Sequence, residues 1–270
     1  MKGRLIALDH LDGAEAAALM VDGRLEDLFL DRDARRPGAI YRGIADRPVK
    51  GQGGMLLRTP DGPAFLRQIK GLRPGQPILV QVTGYPEPGK ALPVTAKVLF
   101  KSRYAIVTPD APGLNISRSI RDDDRRDALL AIAHEEMGDS EMGLILRSSC
   151  AEAADDEIAE DIRAMQDLAQ TVTGDADGIG PEKLTEGDGP HALAWREWSA
   201  PAQVDTAAGS FADHGVLDQI DALCVADAPL GGGASMSVEP TRALVAVDVN
   251  TGGDTSPAAG LKANLAAARD

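Results

Sequence analysis

Apolar positions fall first into short runs and later into helical periods. Residues 17–21 and 25–30 are two apolar runs flanking Asp22-Gly23-Arg24, and an Asp-Gly step between such runs predicts a β-hairpin. From residue 39 to residue 100, short apolar segments (39–44, 53–57, 76–82, 91–95, 98–100) are broken by Gly and Pro. Strands at such turn-bounded spacing predict a small barrel. Residues 104–109 and 142–149 read as strands with a polar loop or strand edge at 113–120 between them, and a helix runs from about Asp122 through Leu129, Leu130 and Ile132. Ile158, Ile162, Met165, Leu168 and Val172 recur at helical spacing and predict a helix over 151–171 with an acidic outer face. Residues 173–189 are rich in Gly, Asp and Glu and read as a loop or disordered insert, and Gly231-Gly232-Gly233 reads as a turn into a strand at 235–238. The run 243–249, bounded by Pro240-Thr241 and Gly252-Gly253, predicts a strand buried on both faces.

Composition changes this picture mainly through charge. The net charge of -14 hides an asymmetry: residues 1–126 hold 21 Lys and Arg against 15 Asp and Glu, whereas the remainder holds 7 against 27. The basic side chains are densest at Arg32, Arg35, Arg36, Arg42, Arg47, Lys50, Arg58, Arg67, Lys70 and Arg73, opposed by Asp33, Asp46 and Asp61. Such a patch on a barrel suits phosphate neutralisation, with aromatic rings to stack on unpaired bases; the plain alternative is a solvated basic surface. The candidate RNA contacts are Tyr41, Arg42, Lys50, Phe65, Arg67 and Lys70, with Tyr85 the remaining aromatic of the region; each of the three rings reads equally well as a core residue. Cys150 and Cys224 are far apart and form no zinc or disulfide pattern. That points to a reducing cytosol. No apolar run is long enough for a signal peptide or a membrane span, so a cytoplasmic protein is expected. His10, His134, His191 and His214 have no partners at catalytic or metal-ligand spacing, Asp175 and Asp177 do not continue into a calcium loop, and Trp195 and Trp198 read as core anchors.

Two places carry chemistry. Asp248 stands inside an apolar run that ends in Asn250 and glycines, where a carboxylate calls for a cationic partner such as Mg²⁺. The alternatives are that Asp248 caps a helix starting near Thr255 or pairs with Arg242. Arg147-Ser148-Ser149 closes a strand with a guanidinium and two hydroxyls, a set suited to a phosphate group. Its alternative is an ion pair with Asp155 or Glu157.

Glu239-Pro240-Thr241-Arg242-Ala243-Leu244, Asp248-Val249-Asn250-Thr251-Gly252 and Lys262-Ala263-Asn264-Leu265 together resemble the catalytic segment of the ribonuclease E/G family. The resemblance implies an α+β multidomain protein: an RNase H-like subdomain with an inserted S1 (OB-type) β-barrel and a 5′ sensor, then a partial DNase I-like α/β subdomain. It divides the chain into an N-terminal hairpin (1–36), the barrel (37–100), the sensor-like region (101–150), a reduced RNase H-like region with an acidic insert (151–230) and the start of the catalytic subdomain (231–270). It also implies Mg²⁺-assisted cleavage of single-stranded RNA, with Asp248 and Asn250 as catalytic residues, Asp248 as a metal ligand, and Arg147 and Ser148 gripping a 5′-monophosphate. The family's second aspartate and zinc link are expected beyond residue 270. A noncatalytic RNA-binding protein lacking that aspartate is the competing expectation, and a monomer or weak dimer is expected for this chain.

Overall fold

The computed structural model describes residues 3–32, 35–49, 51, 53–67 and 71–269. The chain starts with a three-stranded meander, β1 (Arg4–Leu11), β2 (Ala14–Val21) and β3 (Arg24–Leu30). Both of its turns are Asp-Gly steps, Asp12-Gly13 and Asp22-Gly23, with all four residues at positive φ. This is the primed-turn geometry whose twist matches that of the flanking strands, so the hairpin expected at 22–24 forms and a second one precedes it.

The barrel follows: β4 (Ile40–Val49), β5 (Gly54–Thr59), β6 (Gly62–Arg67), β7 (Pro77–Val82) and β8 (Leu92–Thr95). The order β4-β5-β6-β8-β7 closes when β7 pairs back onto β4, and β6 lies parallel to β8, which makes a closed five-stranded OB-like barrel. Its interior is filled by Tyr41, Ala45, Leu57, Ala64, Leu66, Val80 and Val94.

Next come β9 (Phe100–Lys101), β10 (Ala105–Thr108), β11 (Leu114–Ile116), α1 (Asp123–Met137), β12 (Gly143–Leu146), a 3₁₀ turn (Ser148–Ala151) and α2 (Asp155–Gly174). Asp122 caps α1 by accepting from the Arg125 amide at 2.7 Å, and Asp123 and Asp124 favour the positive end of the helix dipole. The buried stripe of α2 is Ile158, Ile162, Ala169 and Val172; Leu168 is 38% exposed, so Ala169 replaces it in the stripe.

Part of the expected acidic loop is a strand. β13 (Glu182–Thr185) pairs antiparallel with the start of β4. The cause is tertiary: the buried Arg42 guanidinium needs acceptors, and it donates to the Asp175 carbonyl at 2.6 Å, to the Gly180 carbonyl at 3.0 Å and to the Glu182 carboxylate. Local composition is silent about that demand.

The chain then returns to its beginning. α3 (Pro190–Glu197) leads to β14 (Gln203–Asp205), which pairs parallel with β1, followed by α4 (Ser210–Asp213) and α5 (Val216–Leu223). Ile6, Ala17 and Leu19 pack against Ala194 and Trp198 on one face of the β1–β3 sheet, while Leu5, Ala7, Ala18 and Met20 pack against Phe211 and Val216 on the other. Residues 4–30 and 190–223 therefore share two cores. Trp198 is a core anchor as expected, but Trp195 is 62% exposed. The helix has one core-facing stripe, and Ala194 and Trp198, four residues apart, occupy it.

The last unit is β15 (Asp227–Gly231), β16 (Ala234–Pro240), β17 (Val245–Asn250) and α6 (Pro257–Ala267), with the triglycine forming the expected turn. β17 is an edge strand, and Val245 and Val247 are 63% and 55% exposed. The expectation of a strand buried on both faces is thus corrected: three strands with α6 packed against them leave these side chains uncovered.

Candidate nucleic-acid interface

On the outside of the barrel, β5, β6, β8 and the β7–β8 connection enclose an open groove of about 1040 Å³. Its lining includes Phe65, Tyr85, Arg67, Lys90 and Lys97, with Glu87 as the acid among them. In OB barrels this face and this loop are the usual ligand surface. Phe65 is fixed by a bare patch of backbone: a Cβ added to Gly54 would lie 2.5 Å from its ring. The Arg32 guanidinium stands 5.8 Å from the Tyr85 ring centroid at the groove edge. Lys90 pairs with Glu87 at 2.5 Å, but both are more than 60% exposed, so the pair is weak and Lys90 stays available.

Of the expected RNA contacts, Phe65 and Arg67 meet in this groove. Tyr41 and Arg42 do not reach it. Tyr41 is fully buried in the barrel core and its hydroxyl donates to Asp61 at 2.6 Å, so no ring face is open to a base. Burial and the Asp61 carboxylate push the Tyr41 phenol well above its usual range. Arg42 is 4% exposed and committed to the β13 segment. Lys50 and Lys70 lie outside the described residues. Lys90 and Lys97 were not among the expected contacts because they follow the densest part of the basic run; the alternation of buried Leu92 and Val94 in β8 was the signal that the flanking side chains face outward.

Arg147 lies where β12 gives way to the 3₁₀ turn. Its Nη1 donates to the Ser102 carbonyl at 2.7 Å and its Nη2 to Glu197 of α3 at 2.6 Å. The anticipated partners are taken elsewhere: Asp155 pairs with Arg125 at 2.5 Å, and Glu157 accepts from the Tyr104 hydroxyl at 3.1 Å. Burial opposes the Glu197 charge, yet Arg196 and Arg147 hold its carboxyl below the usual range. Ser148 is exposed beside Arg147, and the Ser149 hydroxyl donates to the Arg103 carbonyl at 2.5 Å.

On β17, Asp248 lies opposite Ser237 and Asn250 opposite Ser235. The Asn250 side-chain oxygen accepts from the Gly252 amide at 2.8 Å, closing the turn after the strand. Asp248 is exposed and neither caps α6 nor pairs with Arg242; Ser256 is the helix cap, accepting from Ala259 at 3.2 Å. Asp254 accepts from the Ser256 amide, which lowers its pKa. Among the described residues no group of three or more His, Cys, Asp or Glu side chains is arranged to hold a metal. The free carboxylate of Asp248 fits one ligand position of Mg²⁺, an ion that takes one or two protein carboxylates and otherwise water or phosphate oxygens.

A family model described as the ribonuclease E/G family matches residues 100–206 and 197–270. The chain belongs to the ribonuclease E/G family. It is 27% identical over 171 residues to ribonuclease E of Synechocystis, covering 56% of this chain and 25% of that protein. It is 27% identical over 181 residues to ribonuclease G of Escherichia coli, covering 57% of this chain and 37% of that protein. It is also 33% identical over 129 residues to a probable ribonuclease of Staphylothermus marinus, covering 44% and 27%. The chain therefore spans between 25% and 37% of the length of these relatives. The ribonuclease E/G match begins at residue 100, so it takes in Arg147 and Asp248 while the OB-like barrel stands on its strand order. Among the described residues no helix is long and apolar enough to cross a membrane.

Two of the histidines meet carboxylates: His191 Nδ1 lies 3.2 Å from Glu15 of the distant β2, and His214 Nε2 lies 2.8 Å from the nearby Asp205 of β14. Cys150 is buried, and burial pushes its thiol up to about 11, far from nucleophilic use.

Proposed function

We propose that this chain is the RNA-gripping part of an endoribonuclease of the ribonuclease E/G type, acting on single-stranded RNA in processing or decay by Mg²⁺-assisted hydrolysis. The observation that carries this reading is the barrel groove, where two aromatic side chains and three cations line one open trough on a chain of that family. In this scheme Phe65 and Tyr85 stack on bases, while Arg67, Lys90 and Lys97 neutralise phosphates. Arg147 and Ser148 receive a 5′-monophosphate: the phosphate displaces Glu197 from Nη2, and Ser148 adds a hydroxyl donor. Asp248 supplies a carboxylate at the scissile phosphate and Asn250 steadies the turn that presents it. Bound there, Mg²⁺ would polarise the phosphoryl oxygen and make water a better nucleophile. Cys150 and Cys224, both free thiols, suit a reducing cytoplasm.

A second reading is an RNA-binding protein without cleavage, favoured by the absence among the described residues of a metal-holding cluster around Asp248. One experiment separates the two. A single strand bearing either a 5′-monophosphate or a 5′-hydroxyl is incubated with Mg²⁺ and the wild type or Asp248→Asn. Cleavage lost in the variant with binding retained supports the nuclease. Tight binding without cleavage in either supports the second reading. Equal binding of monophosphate and hydroxyl ends removes the pocket at Arg147.

A further inference from the structure

A chain with 3% aromatic residues and two tryptophans leaves one of them in solvent. Trp198 is 7% exposed, stacks on Phe29 at 4.7 Å between centroids and donates from its indole to Asp27 at 3.1 Å. Trp195, three residues earlier on the same helix, is 62% exposed, and its ring has the Arg103 guanidinium 4.0 Å from its centroid. That guanidinium also donates to the Trp195 carbonyl, so Arg103 and the indole are held as a pair.

The pair borders an open groove of about 500 Å³ whose other walls include Lys101, Tyr104 and Arg196. Its acids are largely committed. Asp161 accepts from the Ser102 hydroxyl and from the Tyr104 and Ala105 amides, Glu157 accepts from the Tyr104 hydroxyl, and Asp188 pairs with Arg196. The groove also adjoins Arg147 along two routes. Ser102, next to Arg103, offers its carbonyl to Arg147, and Glu197, two residues after Trp195, offers its carboxylate. Lys101 and Arg103 stand beside Glu160 on the walls, and an exposed indole backed by a guanidinium is an arrangement that holds a nucleobase, since every base has a π-face and arginine adds a cation–π contribution.

We propose that Trp195, backed by Arg103 and flanked by Tyr104, is a stacking platform for a base at the 5′ end of single-stranded RNA. It deepens the reading of Arg147 and Ser148 as a 5′-phosphate pocket and rests on that reading for its placement at the RNA end. The platform holds the first bases while the pocket holds the phosphate, so short strands are gripped at their ends without sequence preference.

The test uses the full chain and a single strand of about ten nucleotides, with and without bases at the first two positions, each prepared with a 5′-phosphate and with a 5′-hydroxyl. The wild type should bind the base-bearing strand roughly fivefold to a hundredfold more tightly than the abasic-ended strand, the range expected for loss of stacking. Trp195→Ala should erase that difference, and Trp195→Phe should keep most of it. Because Trp195 lies outside the four buried cores, the variants should melt with the wild type, and a matched melting curve is the folding control. Equal binding of the two strands by the wild type overturns the platform, as does discrimination that survives Trp195→Ala. A Trp195→Ala protein that changes its sedimentation but not its RNA binding also overturns it and assigns the indole to contact between copies. The phosphate pocket is read separately, from phosphate against hydroxyl with bases present. If that comparison is flat while the abasic comparison is not, the pocket fails and the platform stands.

Discussion

Replacing Arg67, Lys90 and Lys97 together by alanine removes three of the four cations that border the barrel groove among the described residues and leaves Arg32 beside Tyr85. All four are exposed, so each is free to displace a counterion from a phosphate. For single strands the slope of log affinity against log salt is about -0.7 per phosphate contact. Four contacts give a slope of about -2.8, or a loss of about fiftyfold between roughly 50 and 200 mM salt; one remaining contact gives about -0.7, or roughly threefold. The assay is fluorescence polarisation of a 5′-hydroxyl strand across that salt range, the hydroxyl keeping the Arg147 pocket out of the measurement. Arg42→Ala is the informative control. Although Arg42 belongs to the basic run, its guanidinium is buried and bonded to Asp175, Gly180 and Glu182, so the salt slope should not change. Stability should instead fall by about 2–3 kcal/mol as buried acceptors lose a charged donor. A triple variant with the wild-type slope, or an Arg42→Ala protein that reduces the slope with its melting curve intact, would refute the assignment of the groove.

The other expectations follow from single contacts. Gly54→Ala puts a methyl group 2.5 Å from the Phe65 ring and 2.7 Å from the Leu66 carbonyl, so it should destabilise the barrel by about 1–3 kcal/mol and weaken RNA binding by tilting Phe65; unchanged melting would show that the ring has room to move. Glu197→Gln should raise the preference for 5′-monophosphate over 5′-hydroxyl ends by roughly threefold to tenfold, because a charged competitor for Arg147 is removed, with a change of less than about 1 kcal/mol in stability since the pair is partly exposed. No change in preference would place the phosphate elsewhere. In acid, Asp61 is held below its ordinary 3.8 by hydrogen bonds from Lys183 and Tyr41, and Asp9 by the Phe211 amide. A lowered folded-state pKa contributes stability that is complete above the unfolded value and is lost as pH falls through the folded one, so stability should decline below about pH 4. Asp61→Asn should flatten that decline, and a thermal melt series that stays as steep in the variant would remove the Lys183–Asp61–Tyr41 cluster as its source.

Local order was legible wherever a residue's conformation is set by its immediate neighbours. The Asp22-Gly23 turn, the strands of the barrel, the acidic cap of α1 and the triglycine turn all follow from backbone preference and the alternation of apolar side chains. The tripartite motif around Asp248 likewise indicated the ribonuclease E/G family before any fold was known, because three short matches in register constrain far more than a single acid. Burial was not legible in the same way, since it depends on what arrives from distant parts of the chain. The same apolar, β-branched character is buried in Val80 and Val94, enclosed by a closed barrel, and exposed in Val245 and Val247 on an edge strand. Arg42 and Arg67 are equivalent in a charge count. One is drawn inward because residues 175–182 offer it three acceptors, and the other faces a groove because β6 alternates. Sequence determined the locally encoded elements and the family; the tertiary structure made a strand of residues 182–185 and decided which charges and rings face solvent, because only long-range packing allots acceptors and solvent.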